Sequence, residues 1–289
     1  QFFTNQVWKT IGFADLQKAF EKHVHQSLDA FFLPWLDQLG APHLAIHDLK
    51  ISNTDIELTL QQTRTSGARP YVLPLKLRVL GEDGSLQDYK INLVEPEQKF
   101  HISATVKPKK LWIDPEFEVF RTLYAEETPF AMSQILSDNQ ELTISLPTSQ
   151  KAAYESWVDS FQGLYSKKIR VITDQEPMPT GGALWVIGYQ NQHSQILKTA
   201  LKVRQLDFTD RELKYNSKIW NLDRSSVFVG ESLNKRPVVW VWVDEKQPAT
   251  VLVQKIKHYT TFSIVGFTDQ KNDFKQTWPI LSSPLIREF

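Results

Sequence analysis

Apolar positions between residues 11 and 42 recur at helical spacing. Phe13, Leu16, Phe20 and Val24 form one series, and Leu28, Phe31, Phe32, Trp35, Leu36 and Leu39 form a second after Ser27, a good N-cap residue. Gly40 sits where a helix stops and Pro42 follows it. Pro34 brings no amide to the second helix and is expected to kink or strain it. Nothing nearby in sequence covers either apolar face. The pair reads as the last piece of a larger helical domain, and the chain as a fragment.

From His43 to Pro115 the period changes from 3.6 to 2. Ile51–Gln62 contains the alternation Ile56, Leu58, Leu60, and Tyr71–Leu80 repeats it with Val72, Leu75, Leu77 and Val79, Pro70 and Pro74 marking an edge or irregular start. Gly81-Glu82-Asp83-Gly84 is a hairpin turn. Tyr89–Val94, Phe100–Val106 and Leu111–Ile113 supply further strands. Short strands with one alternating face and turns between them predict an antiparallel β-sandwich.

Residues 116–139 read as a helical or irregular hinge, with Phe117, Phe120 and Leu123 at helical spacing and Ser137-Asp138-Asn139 closing it. From residue 140 strands alternate with helices. Strands are expected at Leu142–Leu146, Ile169–Thr173, Ala183–Gly188, Ser226–Val229, Val238–Val243 and, finally, Phe262–Phe267. Helices are expected over Ser149–Tyr165, Asn191–Val203 and Ala249–Tyr259. This predicts a three-layer α/β domain with a parallel or mixed sheet. The whole is then a multi-domain α+β chain, with a helical remnant at 1–42, a sandwich at 43–115, a hinge at 116–139 and an α/β domain at 140–289.

Composition narrows the functions. Lys plus Arg and Asp plus Glu are 33 each, so no net positive charge is available for a nucleic-acid backbone. The clusters Lys107-Pro108-Lys109-Lys110 and Lys167-Lys168-Ile169-Arg170 are short, as solvated turn ends are. With no cysteine, disulfides, thiolate metal sites and cysteine nucleophiles are excluded. No apolar run approaches the roughly 20 residues of a membrane span. The many aromatic residues fall mostly on the apolar phase of predicted elements, which assigns them to cores rather than to a stacking surface.

The chain resembles, over about its first half, the region that ends the catalytic domain of aminopeptidase N-like zinc metallopeptidases. The residues that carry the likeness are Asp15-Leu16, Phe20, Phe31-Phe32, Trp35-Leu36 and Gly40-Ala41-Pro42, followed by Asp114-Pro115, Val119-Phe120-Arg121-Thr122-Leu123 and Glu126-Glu127-Thr128-Pro129. A second likeness joins His258-Tyr259-Thr260-Thr261-Phe262-Ser263, Trp278 and Ser282-Ser283-Pro284-Leu285 to the tails of some bacterial members, with Thr260-Thr261 where those have Gly-Lys. The resemblance implies a parent that removes N-terminal residues from peptides, with zinc held in an upstream catalytic domain and a bacterial envelope location. It implies that domain as a partner, and peptide as substrate.

The chemistry of that parent is not in these residues. Two histidines one helical turn apart with an intervening Glu are needed for H-E-x-x-H, and no such run occurs. His43 and His47 have the spacing but follow Pro42 in an extended stretch, where their Cβ atoms would lie about 13 Å apart. Gly230-Glu231-Ser232 starts like a nucleophile elbow, yet Asn234 replaces the closing Gly and no helix follows. Gly181-Gly182 precedes its strand, the wrong side for a dinucleotide loop, and Gly188-Tyr189-Gln190-Asn191 offers only one glycine before a helix. Glu126-Glu127 and Asp114 with Glu116 lack a partnered base.

Two readings follow. In the first, the chain is a non-catalytic scaffold and interdomain or substrate-recruiting module that binds no cofactor itself. In the second, the α/β domain binds a ligand or protein at the carboxyl ends of its strands, with Gly188, Tyr189, Gly230, Ser232, Asp244, His258 and Tyr259 as its rim. His258 has a structural alternative as a cap on the last helix.

Overall fold

The computed structural model describes residues 10–37, 39–64, 69–137, 141–165, 169–209 and 211–289. The fold is mixed α+β and divides into two compact units, Gln1–Glu127 with Ser282–Phe289, and Thr128–Leu281. The second unit is thus an insertion in the first. The expected start of the α/β domain at Gln140 lies outside the described residues, as do Asp138, Asn139, Lys167 and Lys168.

The first unit begins with helices α1 (Phe13–Val24) and α2 (Asp29–Asp37). The Asp15 carboxylate accepts the Gly12 amide at the start of α1, and His25 ends it in the left-handed conformation, φ 57°. Ser27 accepts the Asp29 amide as α2 begins, and α2 continues through Pro34. Two antiparallel sheets follow. One holds β1 (His43–Ser52), β2 (Asp55–Thr63) and β5 (Glu97–Ser103) in the order β1-β2-β5. The other holds β3 (Leu73–Gly81), β4 (Leu86–Leu93), β6 (Pro108–Ile113) and β17 (Ile286–Glu288) in the order β17-β6-β3-β4.

Period-2 patterning fixes which face is inside. Ile56, Leu58 and Leu60 of β2 and Leu73, Leu75, Leu77 and Val79 of β3 are buried in one core. The β3–β4 turn uses Gly84 at φ 83°, with its amide on the Gly81 carbonyl. The strand that completes the second sheet comes from the far end of the chain. Leu285 is buried in this core, and Ile286 pairs with Trp112.

The second unit contains α3 (Met132–Leu136), β7 (Leu142–Leu146), α4 (Glu155–Leu164), β8 (Ile169–Thr173), β9 (Ala183–Ile187) and α5 (Ser194–Ala200). Then come β10 (Leu206–Phe208), β11 (Glu212–Tyr215), β12 (Lys218–Asn221), β13 (Ser225–Leu233) and β14 (Arg236–Trp242). α6 (Ala249–Ile256), β15 (Ile264–Thr268) and β16 (Lys271–Gln276) finish it. Seven strands form a mixed sheet in the order β16-β15-β13-β14-β9-β7-β8. β14, β9, β7 and β8 run parallel, while β13 is antiparallel to both of its neighbours.

Both faces of that sheet are covered. α4 and α6 lie over one, where Phe161 meets Trp185 at 4.5 Å between ring centroids and Trp157 meets Phe228 at 6.4 Å. α5 and the small antiparallel sheet β10-β11-β12 cover the other, where Phe208 packs on Trp240 and the Trp220 indole lies over Gly266. Trp157, Trp185, Trp220, Trp240, Trp242 and Trp278 are all fully buried, so these six serve as core.

Several expected boundaries shift. The first half of the helix expected at Ser149–Tyr165 is a 3-10 segment, Thr148–Tyr154, broken at Gln150 with φ −134°. The helix expected to Val203 closes at Ala200 and tightens into a 3-10 turn at Leu201–Arg204, and that expected to Tyr259 ends at Ile256. Phe262–Phe267 is not the final strand, because β16 and β17 follow β15. The sheet β10-β11-β12 carried no sequence signal strong enough to read, its strands being three or four residues long.

Candidate functional site

The carboxyl ends of parallel strands β7 and β9 are where an open α/β sheet usually binds ligands, because connections depart from them in opposite directions. Here the chain's own side chains fill that place. Tyr154 is buried and its hydroxyl donates to the Val243 carbonyl at 3.0 Å. Burial, with Glu245 and Asp244 nearby, pushes its phenol far above the ordinary range. Gly188 has φ 95°, and a Cβ there would lie 3.1 Å from the Tyr154 ring. Asp174 accepts the Thr148 hydroxyl at 2.7 Å, the Thr148 amide and the Gln192 amide. Burial pushes the Asp174 carboxyl up, but those donors outweigh it and hold the group below the usual carboxylate range.

Beside Asp174 lies a serine–histidine pair that the sequence did not announce. Ser145 Oγ is 2.8 Å from His193 Nδ1, and His193 Nε2 is 3.1 Å from the Glu176 carbonyl. A carbonyl only accepts, so Nε2 carries the proton and Nδ1 accepts from the serine hydroxyl. Asn191 Nδ2 donates to the Ser145 and Ile187 carbonyls at 2.9 and 3.0 Å, and its Oδ1 accepts the His193 amide. Both ring nitrogens and the amide of His193 are thus engaged, and Ser145 is wholly buried in β7. The arrangement ties the β9–α5 loop to β7. It has no exposed nucleophile, and hydrolysis by it is unsupported.

The seven residues expected as one rim are not together. Gly188, Tyr189 and Asp244 do follow the carboxyl ends of β9 and β14, with the Tyr189 amide on the Val243 carbonyl. Gly230 lies mid-sheet, paired with Val239, and Ser232 is at the opposite edge, since β13 runs antiparallel and Ser232 pairs with Pro237 near the start of β14. A Cβ on Gly230 would lie 1.9 Å from the Phe130 ring, and the Gly230 carbonyl accepts the Trp278 indole at 2.7 Å. Ser232 Oγ donates to Gln134, and the chain turns back at Asn234-Lys235, both at positive φ, instead of entering a helix. His258 and Tyr259 follow α6 on the way to β15, whose first residue Ile264 pairs with Val229 in the middle of β13. The His258 amide bonds the Lys255 carbonyl, so the backbone closes the helix, and the imidazole is exposed. The cause of the error is strand direction, which apolar runs do not encode.

The motif joining Ser263, Trp278 and Ser283 resolves into stitching. Ser263 is buried, donates to the Phe130 carbonyl and accepts the Trp278 amide at 2.9 Å. In the first unit, Ser283 donates to Glu127 at 2.7 Å and joins a buried ion cluster. Arg121 Nε is 2.9 Å from Asp114, and its two terminal nitrogens bind Glu127 at 2.7 and 3.1 Å, all three side chains being buried. Burial pushes the Glu127 carboxyl up, but Arg121, Ser283 and the Tyr124 amide hold it below its usual range. Burial likewise opposes the Arg121 charge, and the two carboxylates raise it.

The first unit also carries a groove of ≈ 700 Å³. Phe31, Trp35, Val72, Lys90, Ile91 and Phe120 are among the residues that line it. Trp35 anchors α2 by stacking on Tyr71 at 4.2 Å. Beyond it Phe20 of α1 meets Phe32 of α2 at 6.5 Å between ring centroids, and much of the apolar face of both helices stays exposed. No residue of α1 is buried, and Phe13, Phe20 and Phe31 are 63%, 50% and 51% exposed.

Among the described residues no three His, Cys, Asp or Glu side chains are placed to hold a metal ion. His43 and His47 lie on β1, and His47 Nδ1 is instead 2.8 Å from Glu97. No helix among the described residues is long and apolar enough to cross a membrane, which says nothing of crossing by strands.

No family model and no curated protein matches the sequence. Among solved structures, the chain is similar to a flavohemoglobin from Malassezia yamatoensis at 10% identity, over 56% of this chain and 57% of that one, with a TM-score of 0.16. The chain therefore spans little more than half of that protein's length, and a likeness so weak carries no argument about fold or function.

Proposed function

We propose that this chain is a non-catalytic C-terminal part of an aminopeptidase N-like zinc metallopeptidase, acting as scaffold and docking module for an upstream catalytic region. The observation that carries this reading is the bare apolar face of α1 and α2 beside the groove. Amphipathic helices bury their apolar stripe, and contiguous exposed aromatic patches mark interaction surfaces. The parent's zinc, catalytic Glu and peptide hydrolysis belong to the upstream region in this reading, with the envelope of a bacterium as its setting. The competing reading, a ligand site at the strand ends, loses support because Tyr154, Thr148 and His193 occupy that crevice.

Calorimetric titration of the chain with the parent's separately produced catalytic region is the test. Binding is expected, and Phe31→Asp is expected to weaken it by about tenfold or more, as loss of a central aromatic anchor does. Zinc added to the chain alone should show no stoichiometric tight binding, and turnover of amino-acid anilides should stay at background. Absence of binding to the catalytic region, or turnover that survives purification, rejects the reading.

A further inference from the structure

The groove of ≈ 700 Å³ in the first unit is floored by the outward face of the β3–β4 pair. Leu73, Leu75 and Leu77 of β3 belong to the core, so Pro74 and Lys76 between them point out. Pro74 pairs with Asn92 and Lys76 with Lys90, which sets two lysines side by side across the strands. Aromatic rings rise beside this floor, among them Trp35 of α2 and Phe120, which meet edge to face at 5.9 Å. The two lysines differ in their company. Glu116 and Glu118 lie 3.0 and 3.2 Å from Lys76, and Glu118 is the one acidic side chain among the described lining residues. Lys90 is exposed and has no ion-pair partner among the described residues.

We propose that this groove binds a single-chain fatty carboxylate, with the acyl chain along the aromatic walls and the head on Lys90. Its volume falls in the range of about 300–1,000 Å³ of small-molecule clefts, and an apolar lining with a few placed polar groups is their usual make-up. Charge selects the head. Lys76 is already neutralised by its two glutamates, while the Lys90 ammonium is a donor-only group that an acceptor-only carboxylate matches. Backbone chemistry selects against an extended peptide. Each of its residues would bring an amide and a carbonyl that need partners, and the lining offers Asn92 and Lys90 beyond the Lys76–Glu118 pair. An acyl chain brings no such groups. The assignment goes beyond the docking role and does not rest on it, since it needs no upstream region.

Isothermal titration of the full chain with dodecanoate, octanoate and dodecyltrimethylammonium, each below its micelle threshold, is the test. Dodecanoate is expected to bind saturably and more tightly than the ammonium. It should also exceed octanoate by about tenfold or more, because each buried methylene is worth about fourfold. Lys90→Glu should weaken dodecanoate by about fivefold, the upper range for an exposed ion pair, and strengthen the ammonium. Phe120→Asp alters a side chain that is 67% exposed and should weaken both amphiphiles. If that variant fails to fold, the reversal of head-group preference at Lys90 still decides. No saturable binding of dodecanoate, or binding indifferent to either substitution in its folded form, overturns the proposal. So does a dimer that Phe120→Asp makes monomeric and dodecanoate leaves intact, which assigns the groove to a second copy. Binding of an amphipathic helical peptide with an acidic end, where dodecanoate does not bind, assigns it to a protein and overturns the proposal as well.

Discussion

A single side chain, Arg121, satisfies two buried carboxylates that no other cation reaches among the described ion pairs. Replacing a buried ion-pair partner strands a desolvated charge, which costs about 3–5 kcal/mol. Arg121→Met should therefore destabilise the first unit by that order, read from chemical denaturation. The pH dependence has a definite sign. Glu127 is held below its unfolded value, so its contribution is full above about pH 4.3 and is lost as pH falls through the lower folded value. Glu127→Gln should be less stable than the parent chain at neutral pH, and its acid limb should be shallower. A variant whose stability falls as steeply as the parent's below pH 4.3 would refute the assignment. The residues of this cluster were visible in the sequence as a motif, but their burial was not. Charges near a domain joint read as solvated or salt-bridged, and nothing local signals that Asp114, Arg121 and Glu127 converge in a buried cluster.

Elements show the same division between local and distant information. Strands such as Leu142–Leu146 and Ile169–Thr173 emerge with the boundaries read from their apolar runs, because a run flanked by polar residues fixes a strand by itself. Direction and partner are set elsewhere. β13 was read as one more strand with its carboxyl end at the ligand edge, and its antiparallel pairing with β14 reverses that. The tight Asn234-Lys235 turn was the available signal, since two residues between strands join antiparallel neighbours. β17 is harder still, with three residues and a partner far away in sequence, and only Leu285 holding it in a core. Leu285→Ala should cost about 2–5 kcal/mol, the range for truncating a buried leucine. Hydrogen exchange should show β6 amides losing protection along with β17. Unchanged protection at β6 would mean that the C-terminal strand adds nothing to the sheet.

At the scale of the molecule, the two hydrophobic cores share no residue. One draws on Leu44 through Ile113 and then Leu285, while the other runs from Phe130 to Trp278. A chain that leaves one core, builds a second and returns to close the first places two cooperative systems in a single polypeptide, so a two-state description is unsafe. Calorimetry with one substitution in each core tests this directly. Gly230→Ala puts a Cβ 1.9 Å from a Phe130 ring carbon and should destabilise the second unit by about 1–3 kcal/mol through overpacking. Leu285→Ala acts on the first. If each core melts as its own system, two transitions appear, and each variant lowers a different one. A single transition displaced equally by both substitutions would show that the insertion and its host unfold together.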